Sequence, residues 1–221
     1  MRNRIDLHTH TLLSDGEVLP IELARKADVM GMRAIAFTDH VSMSTINRVI
    51  EETARDCQLT QSWEIETVLG VEITHVPVDR MDEMISMARR LGAELIVVHG
   101  ESLAEPTEPG TNLAAVSNPE VDVLAHPGLI STEEVELARE NGIILELSAR
   151  KGHCLANGHV AALARKYNAI MVVNTDAHSD SDLITEEEAR QVARGAGLPE
   201  SEVERAVIEN PREILRRIRG R

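Results

Sequence analysis

The sequence predicts a single α/β domain, a TIM-like (β/α) barrel of seven strands, and three observations carry that reading. Short apolar segments alternate with amphipathic helical stretches along most of the 221 residues. Imidazole and carboxylate side chains stand where the apolar segments end. No further strand follows the seventh, only helix. Strand–helix units in tandem require parallel strands joined by crossover helices. In barrels of that kind, chemistry gathers at the carboxyl ends of the strands.

The elements follow in order. A first strand over 4–7 runs into His8-Thr9-His10, and a helix over 19–31 stops at Gly31. The second strand, 34–38, ends at Asp39-His40, and a helix over 43–57 follows. The third, 65–72, closes on Glu72, and a helix over 78–92 stops at Gly92. The fourth, 95–98, ends at His99. After it comes the longest irregular stretch, Glu101 to Thr111, with Pro106, Pro109 and Gly110; a lid and a plain connection both fit it. A helix over 111–117 precedes the fifth strand, 122–125, which ends at His126. Ser131-Thr132-Glu133-Glu134 opens a helix over 131–141 with a capping residue and early acids, and Gly142 stops it. The sixth strand, 143–147, leads into Ser148-Ala149-Arg150-Lys151-Gly152-His153. A helix over 156–168 precedes the seventh strand, 170–174, and then Thr175-Asp176-Ala177-His178. The remainder reads as helices over 185–196, 199–208 and 211–219, with Asn210-Pro211 as N-cap and first helical residue. No linker or composition break divides residues 1–221.

Composition narrows the function classes. The chain is 43% hydrophobic but only 1% aromatic, so its core must be aliphatic. It has 23 basic against 37 acidic residues, a net charge of −14, which repels nucleic-acid backbones. Nucleic acid is therefore expected only as a substrate end. No apolar run is long enough for a membrane span, and the first strand begins too early for a leader, so a cytoplasmic protein is expected. Cys57 and Cys154 are far apart and outside any Cys-x-x-Cys pattern, which argues for free thiols. Neither charge nor composition selects an oligomeric state.

Six of the nine histidines occupy the strand ends. In an extended segment residues i and i+2 point the same way, so His8 and His10 can face one ion. Asp15, His40, Glu72, His99, His126, Asp176 and His178 join them on the same rim. His75 lies just past Glu72, and His153 and His159 are read with the loop after the sixth strand, although the helix over 156–168 spans His159. Such convergence of imidazole and carboxylate predicts a multi-metal site. Strand alternation puts Glu146 and Ser148 on one face, at the barrel mouth. Arg150 and Lys151 are candidates for binding a substrate phosphate, since guanidinium offers a bidentate fork. His153, Asn157 and His159 are candidates for shaping the pocket.

These motifs resemble those of the PHP (polymerase and histidinol phosphatase) family, which open with His-x-His on strand one and end with Asp-x-His on strand seven. The resemblance covers residues 5–178 and implies a distorted (β/α)7 barrel. It also implies two to three divalent ions per chain, zinc, manganese or iron. His8, His10, Glu72 and Asp176 would hold one ion; Glu72 would bridge to a second on His99 and His126; Asp15, His40 and His178 would hold a third. Asp15 stands where several relatives carry His and others Asp, and Ser148 lies near where relatives often carry Asn. Three carboxylates against three divalent ions leave such a cluster positive, which favours a phosphate dianion. A bridging water would lose its proton near neutral pH and act as nucleophile. Asp15, His178 and a metal-bound water are the candidate proton donors.

The expected activity is hydrolysis of a small phosphorylated metabolite, a phosphomonoester. Alternatives are a phosphodiesterase acting on nucleotides or oligonucleotide ends, and histidinol phosphate hydrolysis, for which the chain is short. C–N hydrolysis is disfavoured because no Lys ends a strand, and serine hydrolysis because Gly-x-Ser-x-Gly is absent. A barrel of another class, an RNA-associated scaffold like the archaeal ribonuclease P component, would be expected to lose ligands and gain basic charge.

Overall fold

The computed structural model describes residues 2–220. Its sheet is parallel throughout, in the order β1 (Ile5–Asp6), β2 (Ala34–Phe37), β4 (Glu66–Ile73), β5 (Leu95–His99), β6 (Val123–Ala125), β7 (Ile144–Ser148) and β8 (Met171–Asn174). The short β3 (His40–Val41) pairs with β4 and prolongs the line of β2 beyond a break at Thr38-Asp39. The result is a nearly closed barrel of 7 staves, as the sequence predicts. Outside it lie α1 (Pro20–Val29), α2 (Ile46–Leu59), α3 (Met81–Arg90), α4 (Thr111–Ser117), α5 (Thr132–Asn141) and α6 (Asn157–Tyr167). The chain ends with α7 (Glu186–Gly195), α8 (Glu200–Glu204) and α9 (Asn210–Arg219). None of these helices is long and apolar enough to cross a membrane.

Strand alternation sorts the apolar residues into two populations. Ala34, Ala36, Val68, Leu95, Val97, Val123, Ala125, Ile144 and Val172 share one cluster inside the barrel. Val71, Ile73, Ile96, Val98, Leu124, Leu145, Leu147 and Val173 face the helices. The inner set is almost wholly small or β-branched, which the scarcity of aromatics dictates. Ile214, Leu215 and Ile218 of α9 join the inner cluster, so the C-terminal helix plugs the amino-terminal end of the barrel. The same alternation carries Glu72, His99, Glu146, Ser148 and Asn174 inward at the opposite end.

Local signals work where they are strong. Ser131 Oγ accepts from Glu134 N (3.3 Å) while Glu134 Oε2 accepts from Ser131 N (2.7 Å), a full capping box. Gly142 closes that helix at φ 68°, in the left-handed region where a Cβ is costly. Two expectations need correction. Asn210 does not cap a new helix: its side chain donates to the Met171 carbonyl (2.7 Å), and the chain is helical from Glu200 through Arg219. A π-turn at Arg205–Glu209 precedes Pro211, widening the helix where proline lacks an N–H and its ring crowds the preceding turn. And His159 lies on α6 rather than in a loop, with His153 in a short 3₁₀ turn (His153–Ala156).

Closure is the least regular part. Between β8 and β1 the ladder is reduced to an isolated parallel bridge, Thr9 with Ala177. Polar side chains complete it. Asp6 is fully buried; its Oδ1 accepts from Thr175 N (3.2 Å) and its Oδ2 from Arg4 Nη2 (2.9 Å). Arg4 also donates to the Val173 carbonyl (2.9 Å), and Asn174 Oδ1 accepts from Leu7 N (3.1 Å). Removing one partner of a buried ion pair leaves the other charge unmatched, whereas exposed pairs contribute little. Asp6→Ala is therefore expected to lower unfolding free energy by about 3–5 kcal/mol in urea titrations. Glu66→Ala, which breaks the surface pair with Arg33, should cost under about 1 kcal/mol.

Candidate metal centre

The strand ends deliver their side chains to one buried point, Glu72. Its carboxylate is fully buried, and four imidazoles surround it: His40 Nδ1 at 2.8 Å, His8 Nε2 at 3.4 Å, His10 Nε2 at 3.5 Å and His126 Nε2 at 3.6 Å. Asp176 stands beside them, 3.2 Å from His10 Nε2 and 3.6 Å from His126 Nε2. His178 Nε2 lies 3.2 Å from Asp15 Oδ2, and His40 Nε2 3.5 Å from the same oxygen. Two of these residues reach the centre through unusual backbone: His126 at φ 27° and Asp176 at φ 54° are left-handed without being glycine. Such conformations cost of order 1–3 kcal/mol and concentrate at functional sites.

Ligand atoms fall into overlapping groups within 4.8 Å of one another: His10, Asp15, His40 and His178; His8, His10 and Glu72; Glu72, His99 and His126. The structure thus brings together every residue of the predicted ligand set, with Asp176 between the groups.

The donor set fits divalent cations. Both Glu72 oxygens, His10 Nδ1 and His126 Nδ1 are buried without a hydrogen-bond partner, a costly state for polar atoms. His8 Nδ1 is paired with Glu146 Oε2 (2.8 Å) and His99 Nδ1 with the Gly100 carbonyl (3.0 Å), which leaves each Nε2 for the centre. Burial, then the neighbouring His40, lowers the pKa of His10; burial, then His99, lowers that of His126. Both therefore present neutral lone pairs. At His8 burial also disfavours the charged form, but Glu146, Glu72 and Asp176 outweigh it and raise the pKa. Burial is the main reason that Asp176 titrates above the usual carboxylate range, with Glu72 and Glu146 adding to it.

Of the predicted substrate-binding residues, Arg150 reaches the site: Nη1 donates to the Asp176 carbonyl (3.1 Å) and lies 2.8 Å from His178 Nδ1. Its guanidinium is about one-third exposed, at 32%. Lys151 is exposed on the following turn and makes no ion pair among the described residues. His153 is buried against His126, ring centroids 4.1 Å apart. Asn157 and His159 serve the scaffold instead. Asn157 bonds both backbone groups of Ser148 (3.1 and 2.8 Å), and His159 Nε2 donates to the Ile130 carbonyl (2.7 Å).

Sequence reasoning missed three carboxylates. Glu146 was placed on the inner face but not seen as the partner of His8. Asp39 is buried and accepts from Thr11 N (2.8 Å), Thr11 Oγ1 (2.8 Å) and Ser14 Oγ (2.6 Å), which fixes the loop bearing Asp15. Its position next to His40 was the available signal. Glu105, in the irregular stretch after β5, lies 3.1 Å from His99 Nε2 and 3.4 Å from His153 Nε2. Nothing in its local sequence pattern marks it.

The chain is 45% identical to the uncharacterized protein MJ1295 of Methanocaldococcus jannaschii, over 97% of this chain and 100% of that one. It is 27% identical to ribonuclease P protein component 3 of Methanosarcina barkeri (93% of this chain, 86% of that one). It is also 27% identical to the probable phosphatase TTE1963 of Caldanaerobacter subterraneus (100% and 94%). Among solved structures, an archaeal ribonuclease P with mature tRNA contains a chain of TM-score 0.69 at 18% identity, covering 97% of this chain and 89% of that one. The histidinol phosphate phosphatase of Lactococcus lactis, complexed with zinc, L-histidinol and phosphate, gives 0.62 at 15% identity, covering 90% and 95%. The PHP domain matches residues 6–195, the span that holds all the clustered histidines and carboxylates, and the chain belongs to the PHP family.

Proposed function

We propose that this protein is a metal-dependent phosphoester hydrolase whose preferred substrate is a small phosphomonoester, with His8, His10, Asp15, His40, Glu72, His99, His126, Asp176 and His178 as ligands of up to three ions. The observation that carries the reading is the buried Glu72 carboxylate, faced by four imidazole nitrogens within 3.6 Å yet making no hydrogen bond. Divalent ions bound there supply Lewis-acid charge for phosphoryl oxygens and acidify water near neutral pH. The protein's own groups do the rest. Glu146 orients His8, and the Gly100 carbonyl orients His99. Arg150, at the edge of the centre, binds a non-bridging phosphate oxygen. Burial of the half-exposed Asp15 opposes its ionisation, but His178 and His40 outweigh it and hold the carboxyl below the usual carboxylate range, so Asp15 serves as an ionised ligand and His178 is left to hand a proton to a departing alkoxide.

A second reading has its own support, the likeness to a chain of archaeal ribonuclease P and to its protein component 3. On that reading the barrel is a partner in an RNA–protein assembly. The complete donor set and the net charge of −14 favour hydrolysis.

Three outcomes are expected. Protein loaded with zinc or manganese should hydrolyse phosphomonoesters faster than matched diesters, and a chelator should abolish turnover; a diester preference would move the assignment to a phosphodiesterase. Arg150→Ala should raise KM for phosphomonoesters about tenfold, the equivalent of one charge-assisted hydrogen bond, with unchanged kinetics making Arg150 a bystander. Anisotropy titrations with structured RNA at physiological salt should show no binding tighter than about 1 μM. Tighter binding favours the assembly reading.

A further inference from the structure

The stretch between β5 and α4 is built rather than loose. Glu101 Oε1 accepts from Gly110 N (2.9 Å) and Asn112 N (3.0 Å), and Thr107 Oγ1 donates to the Gly100 carbonyl (3.1 Å). These bonds tie both ends of the segment to the end of β5 and present Glu105 between them. Any Cβ on Gly152, in the turn after β7, would come within 3.2 Å of Ala104 Cβ, so this segment also leans on the turn that leads to His153. The Glu105 carboxylate meets three imidazoles there. Oε2 is 3.1 Å from His99 Nε2 and 3.5 Å from His75 Nε2, and Oε1 is 3.4 Å from His153 Nε2.

His99 has a single nitrogen to give, because Nδ1 already donates to the Gly100 carbonyl (3.0 Å). The remaining Nε2 is the atom that faces Glu105. Two ligand atoms adjacent on one ion, each about 2.0–2.2 Å from it, stand about 2.8–3.6 Å apart as the angle between them opens from a right angle to tetrahedral. The separation of His99 Nε2 and Glu105 Oε2 falls in that range. Glu105, His99 and His75 also form a group with ligand atoms within 4.8 Å of one another, joined through His99 to the group of Glu72, His99 and His126.

We propose that Glu105 is a further metal ligand, carried by the β5–α4 segment onto the divalent ion that His99 holds, with His75 and His153 positioning its carboxylate from either side. The inference rests on the metal-centre reading above and deepens it. A carboxylate on an imidazole-bound ion suits zinc, manganese or iron, and it makes the occupancy of that ion depend on the segment that bears it.

The test compares wild type, Glu105→Gln and Glu108→Gln. The last is a control on the same segment: Glu108 Oε2 accepts from Val78 N (3.1 Å) and approaches no imidazole among the described residues. Zinc affinity is read by competition with a chromophoric chelator, and ligation by the visible spectrum of the cobalt-substituted protein. Glu105→Gln is expected to weaken one ion at least about tenfold and to change the cobalt bands, while Glu108→Gln matches wild type in both. Wild-type affinity and spectrum in Glu105→Gln would overturn the assignment of Glu105 alone. Failure of the wild-type protein to bind zinc or cobalt would overturn the metal-centre reading, and this inference with it.

Discussion

The mouth of this barrel depends on the seam where β8 meets β1. Sheet hydrogen bonding nearly stops there, and a relay of buried polar side chains takes over. Leu7 N donates to Asn174 Oδ1 (3.1 Å), Asn174 Nδ2 donates to Glu146 Oε2 (2.9 Å), and the same oxygen is 2.8 Å from His8 Nδ1. Barrel closure and ligand orientation are thus one network. The bonds that hold the first and last staves together also fix the tautomer and direction of an imidazole at the centre. A polar seam is tolerable because its principal groups find partners; an apolar one would close the barrel and leave His8 unaimed.

The division of labour between the two ends follows from the same alternation. At the amino-terminal end, inward positions are aliphatic and α9 seals them with Ile214, Leu215 and Ile218. At the carboxyl end, the next inward positions on β4, β5 and β7 are Glu72, His99 and Glu146. Seven staves with small inner side chains leave space for this polar layer, which bulky aromatics would fill. The protein's strong acidity is a separate matter. Its surface carboxylates pair with exposed arginines, as in Arg194 with Glu187 and Glu200, and contribute solubility rather than chemistry.

What the sequence disclosed, and what it concealed, follows from how each residue is positioned. Strand ends were legible because a run of apolar residues terminating in His, Asp or Glu fixes both element and direction, so His99, His126 and Glu72 fell where expected. Helix limits were legible where caps are strong, as at Ser131 and Gly142. Asn210-Pro211 misled because proline opens helices more often than it sits within them; here a π-turn absorbs it. His159 misled because an imidazole can satisfy a backbone carbonyl from a helix, and spacing alone does not separate that use from lining a pocket. Glu105 and the role of Asp39 were hidden because tertiary placement of irregular backbone has no periodic signature.

Likeness of fold does not choose between a hydrolase and a component of an RNA–protein assembly, since the barrel resembles chains from both settings. The energetics of the proposed centre bear on that choice. Gathering imidazoles and carboxylates in a buried space carries a desolvation cost at each group, and leaving both Glu72 oxygens without hydrogen bonds adds to it. Left-handed backbone at His126 and Asp176 adds strain of order 1–3 kcal/mol each. A barrel serving only as a scaffold gains nothing from these expenses and is better stabilised by filling the mouth with aliphatic side chains. Cation binding offsets them, because it converts unpaired lone pairs into ligand bonds and neutralises the carboxylates. The features that make the mouth a poor piece of packing are the ones that would suit it to cations, and that supports the proposal of chemistry at the site.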